Sequence, residues 1–358
     1  MANDGGEFMK VVHIESGLGN QMLSYCELLA LKKANPKELC YIETLIYDFP
    51  EVEKVYSQWN GYELERIFHI SNPDIKELFT AEQWQAIHVS LEKSCFWEKK
   101  WNWPVYFCNA FSEQGLMLEN LRGNFEENGQ MNKESMHDVL RRNAMYLRFQ
   151  KTWTYANLRR YYWKFFFIEK TDRKELFYSG TENALTGQRL AFQYRGNGIE
   201  LIDNEIRNAF QFPVITDERN RDFLASVRGR QTVAVHARRG DLLNRSGQYY
   251  KGGFFRRSVK FIKKRISDPV FCFFCDPGSV EWCRMNGQVF GLDYSRDAVL
   301  FVDWNKGNES YRDMQLMSLC KHNIVTISSF GWWGAYLNEN PDKITISPEM
   351  KINTTHHF

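Results

Sequence analysis

The stretch Thr232-Val-Ala-Val-His-Ala-Arg-Arg-Gly-Asp241 decides the fold. Thr232 to His236 reads as a short apolar strand, and the chain then turns through two adjacent arginines and a glycine. Glycine permits close approach of a ligand, and each guanidinium presents a fixed fork of donors that matches phosphate oxygens. At the carboxyl end of a strand this pattern reads as a diphosphate site, with Asp241 able to hold one fork in place. The competing reading is a surface salt bridge between Arg239 and Asp241.

Working outward, the chain alternates helix and strand. Phe254 to Ile266 reads as a helix, Val270 to Cys275 as a strand and Ala298 to Val302 as a strand. Tyr311 to Lys321 reads as a helix, Ile324 to Ile327 as a strand, Gly331 to Leu337 as a helix and Lys343 to Ser347 as a last strand. Such alternation predicts a parallel sheet covered on both faces, with ligands at the carboxyl ends of its strands. Far upstream the same grammar opens the chain: a strand at Val11 to Ile14, a glycine turn, a helix from Met22 to Lys33 and a strand at Leu39 to Ile42. Between Phe49 and Phe212 the periodicity weakens. Helices are expected at Ala81 to His88 and Glu134 to Phe149, a loop at Gly115 to Gln130, and an amphipathic aromatic helix at Trp153 to Ile168 that packs into the core or offers a platform for sugars.

A length of 358 residues exceeds one ordinary core, so two lobes with a cleft between them are expected. We place the first α/β lobe, with helical insertions, at 9–225 and the second, a Rossmann-type lobe, at 226–358. The first eight residues precede a second Met at position 9 and read as a leader. Lys and Arg number 46 against 44 Asp and Glu, so no global field points to nucleic acid, and any anion site must be local. No apolar run approaches the roughly 20 residues that span a bilayer. A cytoplasmic chain is expected, with at most peripheral association at the inner face of a membrane. The 8 cysteines show no paired zinc spacing; Cys272 and Cys275, three apart on a strand, point to opposite faces, so buried reduced thiols and no metal site are expected.

Two further segments sit at strand-to-helix junctions. In Gly17-Leu-Gly-Asn-Gln21 the glycines, Gly17 and Gly19, allow backbone approach, and Asn20 and Gln21 suit neutral sugar hydroxyls. A dinucleotide fingerprint fails, because position 22 is Met, and a tight structural turn is the competing reading. In Ser328-Ser-Phe-Gly-Trp-Trp-Gly334, Ser328 or Ser329 can cap the helix while donating to a phosphate. One Trp is expected in the core; for the other, stacking and burial stay open.

Together, Gly17-Leu-Gly-Asn-Gln-Met22, His236-Ala-Arg-Arg-Gly-Asp241 and Ser328-Ser-Phe-Gly-Trp-Trp-Gly-Ala-Tyr-Leu-Asn338 resemble the motifs of the α-1,2-fucosyltransferases, glycosyltransferase family 11. Phe301-Val-Asp-Trp-Asn305, Tyr311 to Cys320 and the Cys275-Asp276 turn resemble further family segments. Similarity covers about the first 45 residues and the last 130. The resemblance implies a GT-B-like α/β fold of two Rossmann-type lobes, and inverting transfer of L-fucose from GDP-β-L-fucose to the 2-hydroxyl of a terminal galactose. It implies no metal, and an acceptor that is a galactose-terminated oligosaccharide or a lipid-linked precursor of a bacterial surface polysaccharide. Arg238 would grip the β-phosphate, with Arg239 and Asp241 shaping its loop. His236 and Asp276 would lie near the nucleotide. Ser328, Ser329 and Phe330 would line the phosphate side, with Trp332 beside them, and Asn20 would face the cleft, where the first lobe would hold the acceptor and the second GDP-fucose. Arg238, Asp241 and Asn20 are the catalytic candidates. A GDP-sugar transferase of α-1,6 or other linkage, and a non-catalytic glycan-binding protein, are the alternatives. Ala237, Leu242, Gly331, Pro277 and Ser16 depart from the family pattern, Ser16 standing where glycine is common and Gly331 where serine is.

Overall fold

A computed structural model describes residues 8–34, 36–54, 60–99, 103–120, 143–150, 152–155, 157–158, 161, 183–186, 199–240, 249–348, 352 and 355–357. Its described residues fall into two compact α/β units, each with its own parallel sheet.

In the first unit, strand β1 (Met9–His13) is buried along its whole length, as its apolar run requires. It pairs in parallel with β2 (Leu39–Glu43) on one side and β4 (Ala184–Thr186) on the other, and β4 pairs with β3 (Glu119–Asn120). The resulting order is β2-β1-β4-β3. The helix between β1 and β2 spans Leu18–Ala34, four residues longer at its start than expected, because the Gly17 carbonyl accepts from the backbone N–H of both Asn20 and Gln21. The glycine turn is therefore the helix's own first turn. Helix Ala81–Ser94 starts at a capping box in which Thr80 and Gln83 satisfy each other's backbone N–H, and Ile87 and Leu91 face inward. Helix Trp103–Glu113, not foreseen, carries Pro104 in its first turn, where a missing N–H costs nothing. Its Phe107 and Phe111 join Phe49, Phe96, Ile87 and Leu91 in the core, each buried ring contributing about 2 to 3 kcal/mol.

The second unit is built on six strands in the order β10-β9-β8-β5-β6-β7, namely β5 (Thr232–Ala237), β6 (Val270–Cys275), β7 (Ala298–Val302), β8 (His322–Ile324), β9 (Thr345–Ser347) and β10 (Thr355–His357). All described pairs are parallel. Helix Phe254–Lys263 crosses from β5 to β6 and buries Phe254, Phe255, Val259 and Ile262, one face of its surface. The unit's longest continuous segment begins at Val214. The physical reason is helix Glu218–Ser226, whose Phe223 packs edge-on against Phe274 of β6 and Trp304.

Of the helix expected at 134–149, the described part is Ala144–Gln150. Most of 153–168 lies outside the described residues, but Trp153, Leu158 and Tyr161 are exposed, so these three do not pack into a core. Both expected cysteine positions on β6 hold free thiols, Cys272 buried and Cys275 half-buried.

Candidate functional site

Topology gives each unit one place where a ligand belongs. In the second unit the chain steps from β5 to β6 and β7 on one side, then returns to lay β8, β9 and β10 on the other. Connections leaving in opposite directions open a crevice between the carboxyl ends of β5 and β8. The two loops there are Arg238 to Gly240 and Thr326 to Phe330, so the fold brings together motifs some 90 residues apart.

His236 joins the two loops. Its ring is 5% exposed, its Nδ1 lies 3.4 Å from the Thr326 hydroxyl, and it faces the Phe330 ring at 6.1 Å. Burial, and after it the positive charge of Arg238, lower its pKa to about 3, so the imidazole is neutral near pH 7. A Cβ on Gly331 would sit 2.3 Å from that Nδ1.

The arginines are organised by Asp276 at the end of β6. Its Oδ1 lies 2.9 Å from Arg238 Nη1, and its Oδ2 accepts from the Arg239 backbone N–H. The Tyr250 hydroxyl donates to the Arg238 carbonyl at 2.8 Å. Asp276 thus anchors Arg238, a contact that only the pairing of β5 with β6 shows; Asp241, expected to hold one of the arginine forks, lies outside the described residues. The Arg239 guanidinium stacks on Trp282 at 3.4 Å from the ring centroid. Ser328 is the N-cap of helix Ser329–Tyr336, yet its side chain makes no capping hydrogen bond, so the expected capping role is not taken up. Ser328, Ser329 and Phe330 are half-buried. Trp332, expected beside the ligand, is 1% exposed and stacks on Tyr336 at 4.7 Å. Trp333 is buried as well, so both tryptophans belong to the core and Trp332 has no face left for a substrate.

Asp313 was not foreseen. It lies in the first turn of helix Tyr311–Leu319 and accepts from Asn305 Nδ2 at 2.8 Å, while Asn305 and Trp304 share Asn220. Burial raises its pKa to about 7; the Asn305 hydrogen bond opposes the rise and Asp303 adds to it. Nothing in its local sequence signals this, because the burial comes from distant segments.

In the first unit the crevice lies after β1, between β2 and β4. Gln21, expected to meet a sugar, is instead fully buried. Its Nε2 donates to the carbonyls of Ser16 at 2.9 Å and Gly61 at 2.8 Å, and its Oε1 accepts from the Glu63 N–H. With every amide group of Gln21 engaged, its role is to brace the turn. Gly19 is buried too, and Gly17 half-buried. Asn20 is half-buried, and among the described residues its carboxamide has no hydrogen-bond partner. Ser16 adopts φ 69°, a left-handed conformation that glycine holds without strain. Its carbonyl is held by Gln21 and, at 2.7 Å, by the Tyr47 hydroxyl. Behind the turn, the buried His13 contacts Glu43 and lies 3.5 Å from Glu15. Among the described residues no group of three or more His, Cys, Asp or Glu is arranged to hold a metal ion, and no helix is long and apolar enough to cross a membrane.

The second unit is a doubly wound α/β sheet with two arginines at its switch point. Residues 199–357 match the family model described as glycosyl transferase family 11. It is 34% identical over 118 residues to a galactoside alpha-(1,2)-fucosyltransferase 1 of Saimiri boliviensis boliviensis, covering 32% of this chain and 30% of that protein. It is also 34% identical over 128 residues to an alpha-1,2-colitosyltransferase of Escherichia coli, covering 34% of this chain and 41% of that one. The matched part thus spans less than half the length of either relative. Among solved structures, fucosyltransferase NodZ from Bradyrhizobium overlays with a TM-score of 0.41 at 12% identity, covering 92% of this chain and 93% of that one. An Arabidopsis thaliana FUT1 variant in complex with GDP overlays at 0.44 and 12%, covering 99% and 73%. Overlays this loose position no residue.

Proposed function

We propose that this chain is an inverting, metal-independent transferase that moves L-fucose from GDP-β-L-fucose to the 2-hydroxyl of a terminal galactose. The observation that carries the reading is the Arg238, Asp276 and Arg239 constellation at the switch point of the segment that matches family 11.

Breaking the bond between fucose and phosphate leaves an oxocarbenium-like sugar and pushes negative charge onto the departing diphosphate, so the enzyme's work lies in stabilising that charge. Arg238 lies 22% exposed, with one nitrogen held by Asp276, which fixes its direction before the ligand arrives. Paired arginines supply the positive charge that a divalent ion would otherwise bring, and transfer is expected to persist in a chelator. Neutral His236 supports the reading by adding no charge of its own beside the anion, and the Ser328 hydroxyl offers a further donor. Asn20 is the acceptor-side candidate; an amide removes no proton, so it would orient the hydroxyl or the sugar ring. The acceptor is an oligosaccharide or a lipid-linked glycan, met in the cytoplasm or at the inner face of a membrane.

The similarity to an alpha-1,2-colitosyltransferase favours a second donor for the same site, GDP-colitose. The test is to incubate the protein and Arg238→Ala with GDP-fucose or GDP-colitose, EDTA and galactose-terminated oligosaccharides, and to assign linkages by NMR. An α-1,2-linked fucose lost in the variant is expected. Faster turnover of GDP-colitose would reassign the donor, an α-1,6 product the linkage, and no product together with no GDP binding would sink the reading in favour of a glycan-binding protein.

A further inference from the structure

Arg238 and Arg239 are neighbours in sequence but differ in what holds them. Arg238 is anchored by a carboxylate, since Asp276 Oδ1 lies 2.9 Å from its Nη1. The Asp276 carboxylate reaches Arg239 only at the backbone N–H. The Arg239 guanidinium lies flat over the indole of Trp282, 3.4 Å from the ring centroid, with the Tyr250 ring at 5.6 Å. Tyr250 and Trp282 meet edge to face at 5.6 Å and 89°, and each packs edge-on against Phe290, so the platform is itself braced. Two of the guanidinium nitrogens, Nε and Nη1, are buried and have no hydrogen-bond partner among the described residues.

Resting on the donor reading above, we propose that Trp282 is a positioning residue for donor binding, a platform that holds the Arg239 guanidinium open toward the diphosphate while Asp276 fixes Arg238. A stacked guanidinium keeps its in-plane donors available, whereas a carboxylate partner would consume them. The two arginines are thus held by two different devices. Lysine at 239 has no plane to lay on the indole, and a branched aliphatic residue at 282 offers no π face.

The test is a double-mutant cycle on GDP affinity, read by isothermal titration calorimetry on the full chain, with Tm recorded for each variant. Trp282→Leu is expected to weaken GDP about tenfold, and Arg239→Lys by a similar factor. Trp282→Phe, which restores an aromatic face, is expected to stay within about threefold of the unmodified protein. If Trp282 acts through Arg239, the double variant binds about as weakly as either single one; losses that multiply overturn the proposal. Trp282→Phe binding as weakly as Trp282→Leu also overturns it, and this arm decides the matter should Trp282→Leu fail to fold. Failure of the unmodified protein to bind GDP would overturn the donor reading instead, whereas loss of binding in Arg238→Ala with none in the Trp282 series would overturn only the inference.

Discussion

The turns that follow β1 and β5 occupy equivalent places, each at the switch point of a parallel sheet, yet they are finished in opposite ways. After β1, Gln21 spends its amide on Ser16, Gly61 and Glu63, leaving a neutral turn on which Asn20 is the one motif side chain with an unused amide among the described residues. After β5, the Asp276 carboxylate holds one guanidinium and the backbone N–H of the next arginine, and buried N–H groups of Arg239 remain unsatisfied among the described residues. The comparison teaches that topology selects where a ligand sits, while the unused donors select its charge. A braced neutral turn suits a sugar, and concentrated guanidinium suits a diphosphate.

The largest effect should come from removing the amide of the neutral turn. Asn20→Ala is expected to lower kcat by roughly a hundredfold while leaving GDP affinity unchanged in calorimetry, and an equal loss in GDP affinity would break the division between the turns. Next, Asp276→Ala releases Arg238 and leaves the Arg239 N–H without its acceptor; GDP should bind about thirtyfold more weakly with acceptor KM unaltered. Gly331→Ala would push a methyl into the His236 ring, since the Cβ position is 2.3 Å from Nδ1. A loss of about 2 kcal/mol, or a Tm lower by roughly 5 °C, is expected in a thermal melt.

Asp313 gives a pH dependence with a definite sign. Its folded pKa is raised from 3.8 to about 7, so its contribution to stability is complete at acid pH below the unfolded value and is lost as pH rises through about 7. Asp313→Asn should therefore flatten the fall in Tm between about pH 5 and pH 8, and a variant that falls as steeply as the parent would refute that assignment. The smallest effect belongs to Ser16, where Ser16→Gly relieves a φ of 69° and should gain about 0.5 kcal/mol, visible as a slightly higher Tm with activity retained.

Apolar strands and the glycine and arginine turns made both sheets readable, because hydrophobic runs and turn residues act over a few positions. Helix Trp103–Glu113 escaped because Pro104 and its crowded aromatics show no clean period until Phe107 meets Phe96 and Phe111 meets Phe79. Helix Glu218–Ser226 groups with the second unit through the docking of Phe223 on Phe274 and Trp304, which no local pattern carries.

The sequence by itself determined that this is an α/β protein of two parallel units with arginines at a strand end, because those features rest on local periodicity and residue chemistry. Only the tertiary structure decided which side chains face a ligand. Gln21 and Trp332 withdrew into the interior, Asp276 came to anchor Arg238, and Trp282 came to lie under Arg239. Orientation of that kind depends on contacts between residues distant in the chain, and no local pattern carries it.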